Sequence, residues 1–329
     1  MLKAGPQSYD RSHMRTFRLS PPAYRRVTLV ALLALAFIIV TGGAVRITGS
    51  GLGCPDWPTC ESGRFVAAKS FHQSVENINR AITGVVSLAV ILAVLGSLLR
   101  QPRRRDLIVL SFGLVLGIAG QVVLGGETVK HDLDPPYVMG HFLLSLLIVW
   151  NATVLHHRAG EEPGHKQGPA RPVVPPEVLT MARLIVVSAA LAIFLGTVVT
   201  GAGPHAGDES ARRLDFDVAD VARFHGLSVM LLLVVTGVTL WCLRREHAPA
   251  DAIRRGDVLL AALVAQAAVG YAQYFTGVPA LLVGIHIAGA TAVWVAALRF
   301  NLGLVRRAEA PGPASGQDVT GSPAYARAL

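Results

Sequence analysis

Eight apolar stretches, each close to the length that crosses a bilayer, constrain this chain more than any other feature. They run Val27–Val45, Ile78–Leu99, Leu107–Gly125, Val138–Leu155, Leu184–Gly201, Leu227–Leu243, Val258–Phe275 and Leu281–Leu298. A helix spans the hydrocarbon with about 20 residues. The chain is 52% hydrophobic and only 16% charged, where a soluble domain carries roughly 25% charge. Gly, Ser and Thr recur within the stretches and let helix backbones approach closely. The expected fold class is an all-α membrane protein with eight transmembrane helices.

The net charge of +9 raises the question of nucleic acid, and its distribution answers it. Segments 1–26, 100–105, 156–183, 244–255 and 299–329 hold 22 of the 30 Lys and Arg. All of these fall on one side of an eight-helix path. That is the positive-inside pattern, so the basic charge sets topology and no nucleic-acid partner is expected. Both termini are expected to be cytoplasmic. No cleavable signal peptide is expected, because the first apolar run is too long.

The chain divides into a cytoplasmic N-terminal segment (1–26), a four-helix bundle (27–156), a cytoplasmic linker (157–180), a second bundle (181–301) and a tail (302–329). The tail is rich in Ala, Gly, Pro and Ser and is expected to be disordered. The halves repeat. Gln121 precedes His141 by the same spacing as Gln266 precedes His286. Gln121-Val-Val-Leu-Gly125 matches Gln266-Ala-Ala-Val-Gly270, and Thr48-Gly-Ser-Gly51 matches Thr200-Gly-Ala-Gly203. Four helices per half give both halves one orientation, so the two tandem bundles form a parallel repeat.

Histidine inside a span points to function by default. His141, His225 and His286 open helices 4, 6 and 8, at one depth near the outer surface. Neutral imidazole suits zinc, copper and iron. A zinc site wants three or four close ligands, whereas His225 and His286 form a pair with glycines beside them (Gly226, Gly284, Gly289). That composition fits a haem between two histidines better. Hydrogen bonding between helices is the competing role.

Helix 2 departs from the repeat. Asn79 stands 62 residues before His141, as His225 stands 61 before His286. His72, Glu76 and Asn79 share one helix face. A carboxylate just inside an apolar span is costly unless it is neutral, paired or catalytic. Two of the three cysteines lie in the first outer loop, Cys54-Pro-Asp-Trp-Pro-Thr-Cys60, where an oxidising compartment makes a local disulfide plausible. Cys242 reads as packing. Arg46, Lys130, Arg212, Arg213 and Arg223 are candidates for anionic groups at the outer face.

Four stretches together resemble the haem A synthases: Thr48-Gly-Ser-Gly-Leu-Gly-Cys54-Pro-Asp-Trp-Pro-Thr-Cys60, Glu76-Asn-Ile-Asn79-Arg80, Gly125-Gly126-Glu-Thr-Val129, and Thr200-Gly-Ala-Gly-Pro-His205-Ala-Gly-Asp208. The resemblance runs from about Val27 to Phe300. It implies a bacterial plasma-membrane oxidoreductase that oxidises the C8 methyl of haem o to a formyl group, giving haem A for terminal oxidases. It implies haem b as a cofactor with His225 and His286 as axial ligands, and substrate haem near His141, Asn79 and His72. It also implies an essential Glu76 and a Cys54–Cys60 disulfide. The iron-binding residues would then be His141, His225 and His286. The family commonly carries Glu-x-x-His on helix 2, and here the second position is Asn79. His72 is expected to touch Glu76 or a propionate rather than replace Asn79. Haem o, supplied by a haem o synthase, an electron donor, the lipid bilayer and a second copy of the chain are the expected partners.

Two other classes are open to a chain of this pattern. A membrane di-haem cytochrome exchanging electrons with quinone would need two histidine pairs and no essential Glu. A transporter with a parallel repeat would place polar or broken helices near the midplane.

Overall fold

The structure, a computed structural model, describes residues 18–66, 69–161 and 167–309. Its helices are α1 (Pro21–Ile47), α2 (Phe71–Leu99), α3 (Arg105–Lys130), α4 (Pro135–Ala159), α5 (Pro176–Ala202), α6 (Val218–Arg245), α7 (Ala250–Phe275) and α8 (Ala280–Gly303). All eight are long and apolar enough to cross a membrane. Large apolar side chains such as Leu33, Phe37, Leu116, Leu227 and Leu281 point outward. A helix that is apolar all round belongs in lipid.

The helices outrun the apolar stretches that reveal them, because hydropathy marks only the hydrocarbon and the caps lie beyond it. α2 starts at Phe71 rather than Ile78, where the Ser70 side chain accepts from the Gln73 N–H. Asp217 caps α6 in the same manner through Ala219 and Asp220. Proline opens α1, α4 and α5, where its missing N–H costs nothing.

α1 packs on α2 and α4, and α3 packs on α2 and α4. In the second half α5 packs on α6 and α8, and α7 packs on α6 and α8. The two groups meet where α1 and α4 lie on α8 and α4 reaches α5. Small residues make that seam close: Gly43 lies against Ile287, and Gly284 against Ile47. Across it, the Trp294 indole donates to the Leu146 carbonyl at 3.0 Å and meets Trp150 edge-on. Dispersion and hydrogen bonding of this kind hold helices together in lipid, where burial of apolar surface contributes little.

Linker and tail differ from expectation where they are described. α4 runs to Ala159 and α5 starts at Pro176. α8 continues to Gly303, and β2 (Val305–Glu309) pairs antiparallel with β1 (Gln167–Pro172). The Val173 N–H adds a bond to the Leu304 carbonyl at 2.9 Å. So the first part of the tail is ordered, by backbone pairing between segments distant in sequence, which composition does not reveal. The expectations for 1–17, 162–166 and 310–329 lie outside the described residues.

One end of the molecule carries the cysteine loop and the other a set of arginines. At the arginine end, buried Arg104 ties α3 to α4. Its guanidinium binds Asp106 at 2.7 Å, Glu161 at 3.2 Å and the Arg158 carbonyl at 3.0 Å. Burial alone would lower its pKa, but the two carboxylates more than reverse that and hold it above the ordinary arginine value. Both acids are partly exposed, which limits the effect. Arg104→Met should cost about 1–3 kcal/mol, read as a lower thermal unfolding midpoint in detergent. Arg104→Lys should recover part of the loss, since it restores charge without the fork.

Candidate functional site

Glu76 lies in the second turn of α2, 7% exposed. Its Oε2 accepts the Cys54 N–H at 2.6 Å. Its Oε1 accepts from Arg80 twice, Nη2 at 2.6 Å and Nε at 3.0 Å. The burial that the sequence makes costly is therefore offset by three donors. Arg80 also reaches back into the cysteine loop. Its Nη1 donates to the carbonyls of Thr59 at 3.0 Å and Pro58 at 3.3 Å, and its guanidinium lies over Trp57 at 5.3 Å.

The loop is thus docked on α2 and α3. Cys54 and Cys60 form a disulfide, and both are fully buried. Asn77 sits beside both sulfurs. Trp57 rests on Gly126, where any side chain would collide with the indole. Gly53 lies so close to the start of α2 that a Cβ there would stand 2.5 Å from the His72 carbonyl oxygen.

Of the two expected partners of His72, Glu76 is not the one it meets. Its Nδ1 bonds the Ser50 hydroxyl at 3.0 Å, and Glu76 is engaged by Arg80 and Cys54 instead. The first turn of α2 lies beside the turn that ends α1, which draws the imidazole to Ser50. Asn79 accepts from the Thr41 hydroxyl of α1 at 2.8 Å.

His141 and His286 have matching surroundings. Gln121 donates to the His141 carbonyl and Gln266 to the His286 carbonyl, each at 2.9 Å. Each imidazole packs on a glycine of the neighbouring helix, Gly125 and Gly270, and each Nδ1 is buried there without a partner. His225 packs on Gly196, and its Nδ1 lies 2.9 Å from the Ala192 carbonyl. That bond leaves Nε2 as the free ring nitrogen.

The His225 and His286 rings meet edge-on, with centroids 6.2 Å apart and planes at 75°. With metal–imidazole bonds of about 2 Å, ring centres on opposite sides of one iron stand roughly 6 Å apart. The pair therefore fits a shared haem iron, and a Cβ added at Gly226 would meet nothing within 4 Å. Among the described residues no cluster of three or more His, Cys, Asp or Glu is arranged for a bare metal ion.

The candidate cations at the cysteine-loop end are mostly engaged. Arg46 donates to the carbonyls of His205 at 2.7 Å and Thr200 at 3.0 Å. The Gly51 N–H meets the Gly207 carbonyl at 2.9 Å. These bonds lock the first loop of one half to the matching loop of the other. Lys130 pairs with Glu127 and Arg223 with Asp220, both at 2.9 Å; Arg212 lies 3.7 Å from Asp134. Arg213 donates to the Pro204 carbonyl. Cys242 is a free, half-buried thiol.

Sequence reading missed Thr41, Asn77 and Trp57. Only Trp57 left a signal, in the paired glycines Gly125-Gly126 that make room for an imidazole and an indole side by side.

Residues 25–208, more than half of the chain, match the family model described as cytochrome oxidase assembly protein (COX15-CtaA). Among curated relatives, the chain is 29% identical over 133 residues to a heme A synthase of Exiguobacterium sibiricum, covering 39% of this chain and 45% of that protein. It is 32% identical over 146 residues to one of Shewanella oneidensis, covering 38% and 42%. The match to a heme A synthase of Listeria monocytogenes is 24% identical over 262 residues, covering 76% and 85%. The first of these alignments thus spans under half of the relative's length. Eight helices of spanning length and bacterial relatives of this kind make the chain a multi-pass protein of the bacterial plasma membrane.

Removing Arg80 would leave Glu76 with the Cys54 amide alone and free the loop. Arg80→Leu should cost about 3 kcal/mol, seen as a lower unfolding midpoint in detergent. The double variant Glu76→Gln, Arg80→Leu should regain part of this, because no unanswered charge then remains.

Proposed function

The chain belongs to the cytochrome oxidase assembly (COX15-CtaA) family, and from that premise we propose that it is a haem A synthase, oxidising the C8 methyl of haem o to a formyl group. The observation that carries the reading is the unequal pair of sites at the cysteine end. One half has His225 and His286 edge-on to each other, ring centroids 6.2 Å apart. The other has His141, with Asn79 in the second ligand's register and buried Glu76 one turn away.

In this reading the chain is a tandem parallel repeat with both termini cytoplasmic, and its halves are 27–156 and 181–301. His225 and His286 hold haem b, which supplies one-electron redox chemistry when bound. The Ala192 carbonyl fixes the orientation of His225, and Gly196 and Gly270 let the two rings approach the gap between them. His141 holds the substrate, haem o received from a haem o synthase. Gln121 anchors the backbone of His141, and Gly125 accommodates its ring.

Glu76 is the acceptor that faces the chemistry. Its position is set by Arg80 and the Cys54 amide, and its remaining lone pairs can accept a hydrogen bond from a hydroxyl group on the substrate's methyl carbon. His72, tied to Ser50, closes the neighbouring turn. The Cys54–Cys60 disulfide keeps the loop compact where it meets Glu76, so its contribution is positioning. An electron donor and a second copy of the chain complete the proposed partners.

Glu76→Ala expressed in membranes that contain haem o should abolish haem A while leaving the purified protein pigmented. Haem A at the wild-type level in that variant would reject the role of Glu76. His225→Ala or His286→Ala should remove the low-spin haem b spectrum, and an unaltered spectrum would reject the ligand pair.

A further inference from the structure

His225 and Asn79 occupy the same register position in their halves, 61 and 62 residues ahead of His286 and His141. Each is also fixed by the first helix of its own half. The Ala192 carbonyl of α5 holds His225 through Nδ1 at 2.9 Å. The Thr41 hydroxyl of α1 holds Asn79 through Oδ1 at 2.8 Å, the closer of its two acceptors, since the Ile38 carbonyl is at 3.2 Å. The consequences differ. Pinning the imidazole leaves Nε2 free to ligate. Pinning the amide oxygen leaves Nδ2, which is only a donor.

That nitrogen has no hydrogen-bond partner among the described residues, and Asn79 is half-buried. A Cβ added at Gly42, next to Thr41, would also meet nothing within 4 Å. In the same half, His141 packs its Cε1–Nδ1 edge on Gly125, with Nδ1 buried. An amide nitrogen does not bind iron as imidazole does. The asparagine side chain is also shorter than the histidine at the matching register, so it reaches less far from its helix.

Resting on the haem A synthase reading, we propose that haem held by His141 keeps one coordination position open to a small exogenous ligand, with the Asn79 amide as hydrogen-bond donor to that ligand. Thr41 is the positioning residue that turns the amide. Steric access and nearby donors decide whether a haem binds a small molecule or only passes electrons. The first half is built for binding and the second for electron passage.

Carbon monoxide, added to the reduced, haem-loaded protein, is the probe, with the visible spectrum and the C–O stretching band as readouts. In the wild type one haem should react, and the haem of His225 and His286 should not. Asn79→His should turn the reactive haem low-spin and closed to carbon monoxide. Asn79→Leu should keep the reaction but move the C–O band to higher wavenumber, because a donor to the ligand is lost. Thr41→Val should move it the same way by less. The unchanged low-spin spectrum of the second half reports folding in every variant. A wild type with no reactive haem, or an Asn79→Leu band identical to wild type, overturns the proposal. His141→Ala separates the two levels of the argument. If it leaves the reactive haem in place, the assignment of His141 to the substrate fails and the proposal with it. If it removes that haem while the Asn79 variants change nothing, the proposal fails and the assignment of His141 to the substrate stands.

Discussion

Hydrocarbon cannot hydrogen-bond a peptide group, and every later feature of this structure follows from that constraint. The chain satisfies its backbone locally in eight helices and places its turns at the two ends. Polar side chains in the spans bond to nearby carbonyls or to one another, as Gln121, Gln266 and Thr41 do. Because lipid gives helices no apolar reason to associate, glycine supplies it instead by letting neighbours approach. Gly43, Gly125, Gly270 and Gly284 each have a specific side chain seated on them.

The same constraint concentrates chemistry at one end. Glu76 can be buried there only because Arg80 and the Cys54 amide answer it, and both bring the cysteine loop with them. The loop, the start of α2 and the Gly125-Gly126 step of α3 thus form one structural unit. Arg46 extends that unit into the second half by bonding the carbonyls of Thr200 and His205. Its guanidinium is therefore engaged as a tie between the halves.

Repetition gives the halves a shared frame, and single residues make them unequal. The Gln-to-His bond and the glycine under the imidazole are the same in both. At the matching register one half has the His225 imidazole bonded to a carbonyl and the other has the Asn79 amide bonded to a hydroxyl. The two motifs Thr48-Gly-Ser-Gly51 and Thr200-Gly-Ala-Gly203 diverge as well. α1 ends at Ile47 and turns through Gly49 at φ +65, whereas α5 continues to Ala202. The early turn lets Ser50 meet His72.

The sequence by itself determined the eight spans, and it pointed to a basic bias, a repeat and a shared level for His141, His225 and His286. These depend on length, composition and register, which are local or periodic properties of the chain. It also exposed Glu76 and Asn79 as breaks in the pattern. It could not decide what Glu76 and His72 touch, because their partners Cys54 and Ser50 lie across a loop whose path no periodicity encodes. The bond from Thr41 to Asn79 and the pairing of β1 with β2 were equally hidden, since both join segments brought together only by packing. The outer arginines read as free charge until the fold gave them carbonyls and acids to bind. Tertiary structure therefore decided which polar groups are already satisfied and which, like the Asn79 amide nitrogen, are left to act.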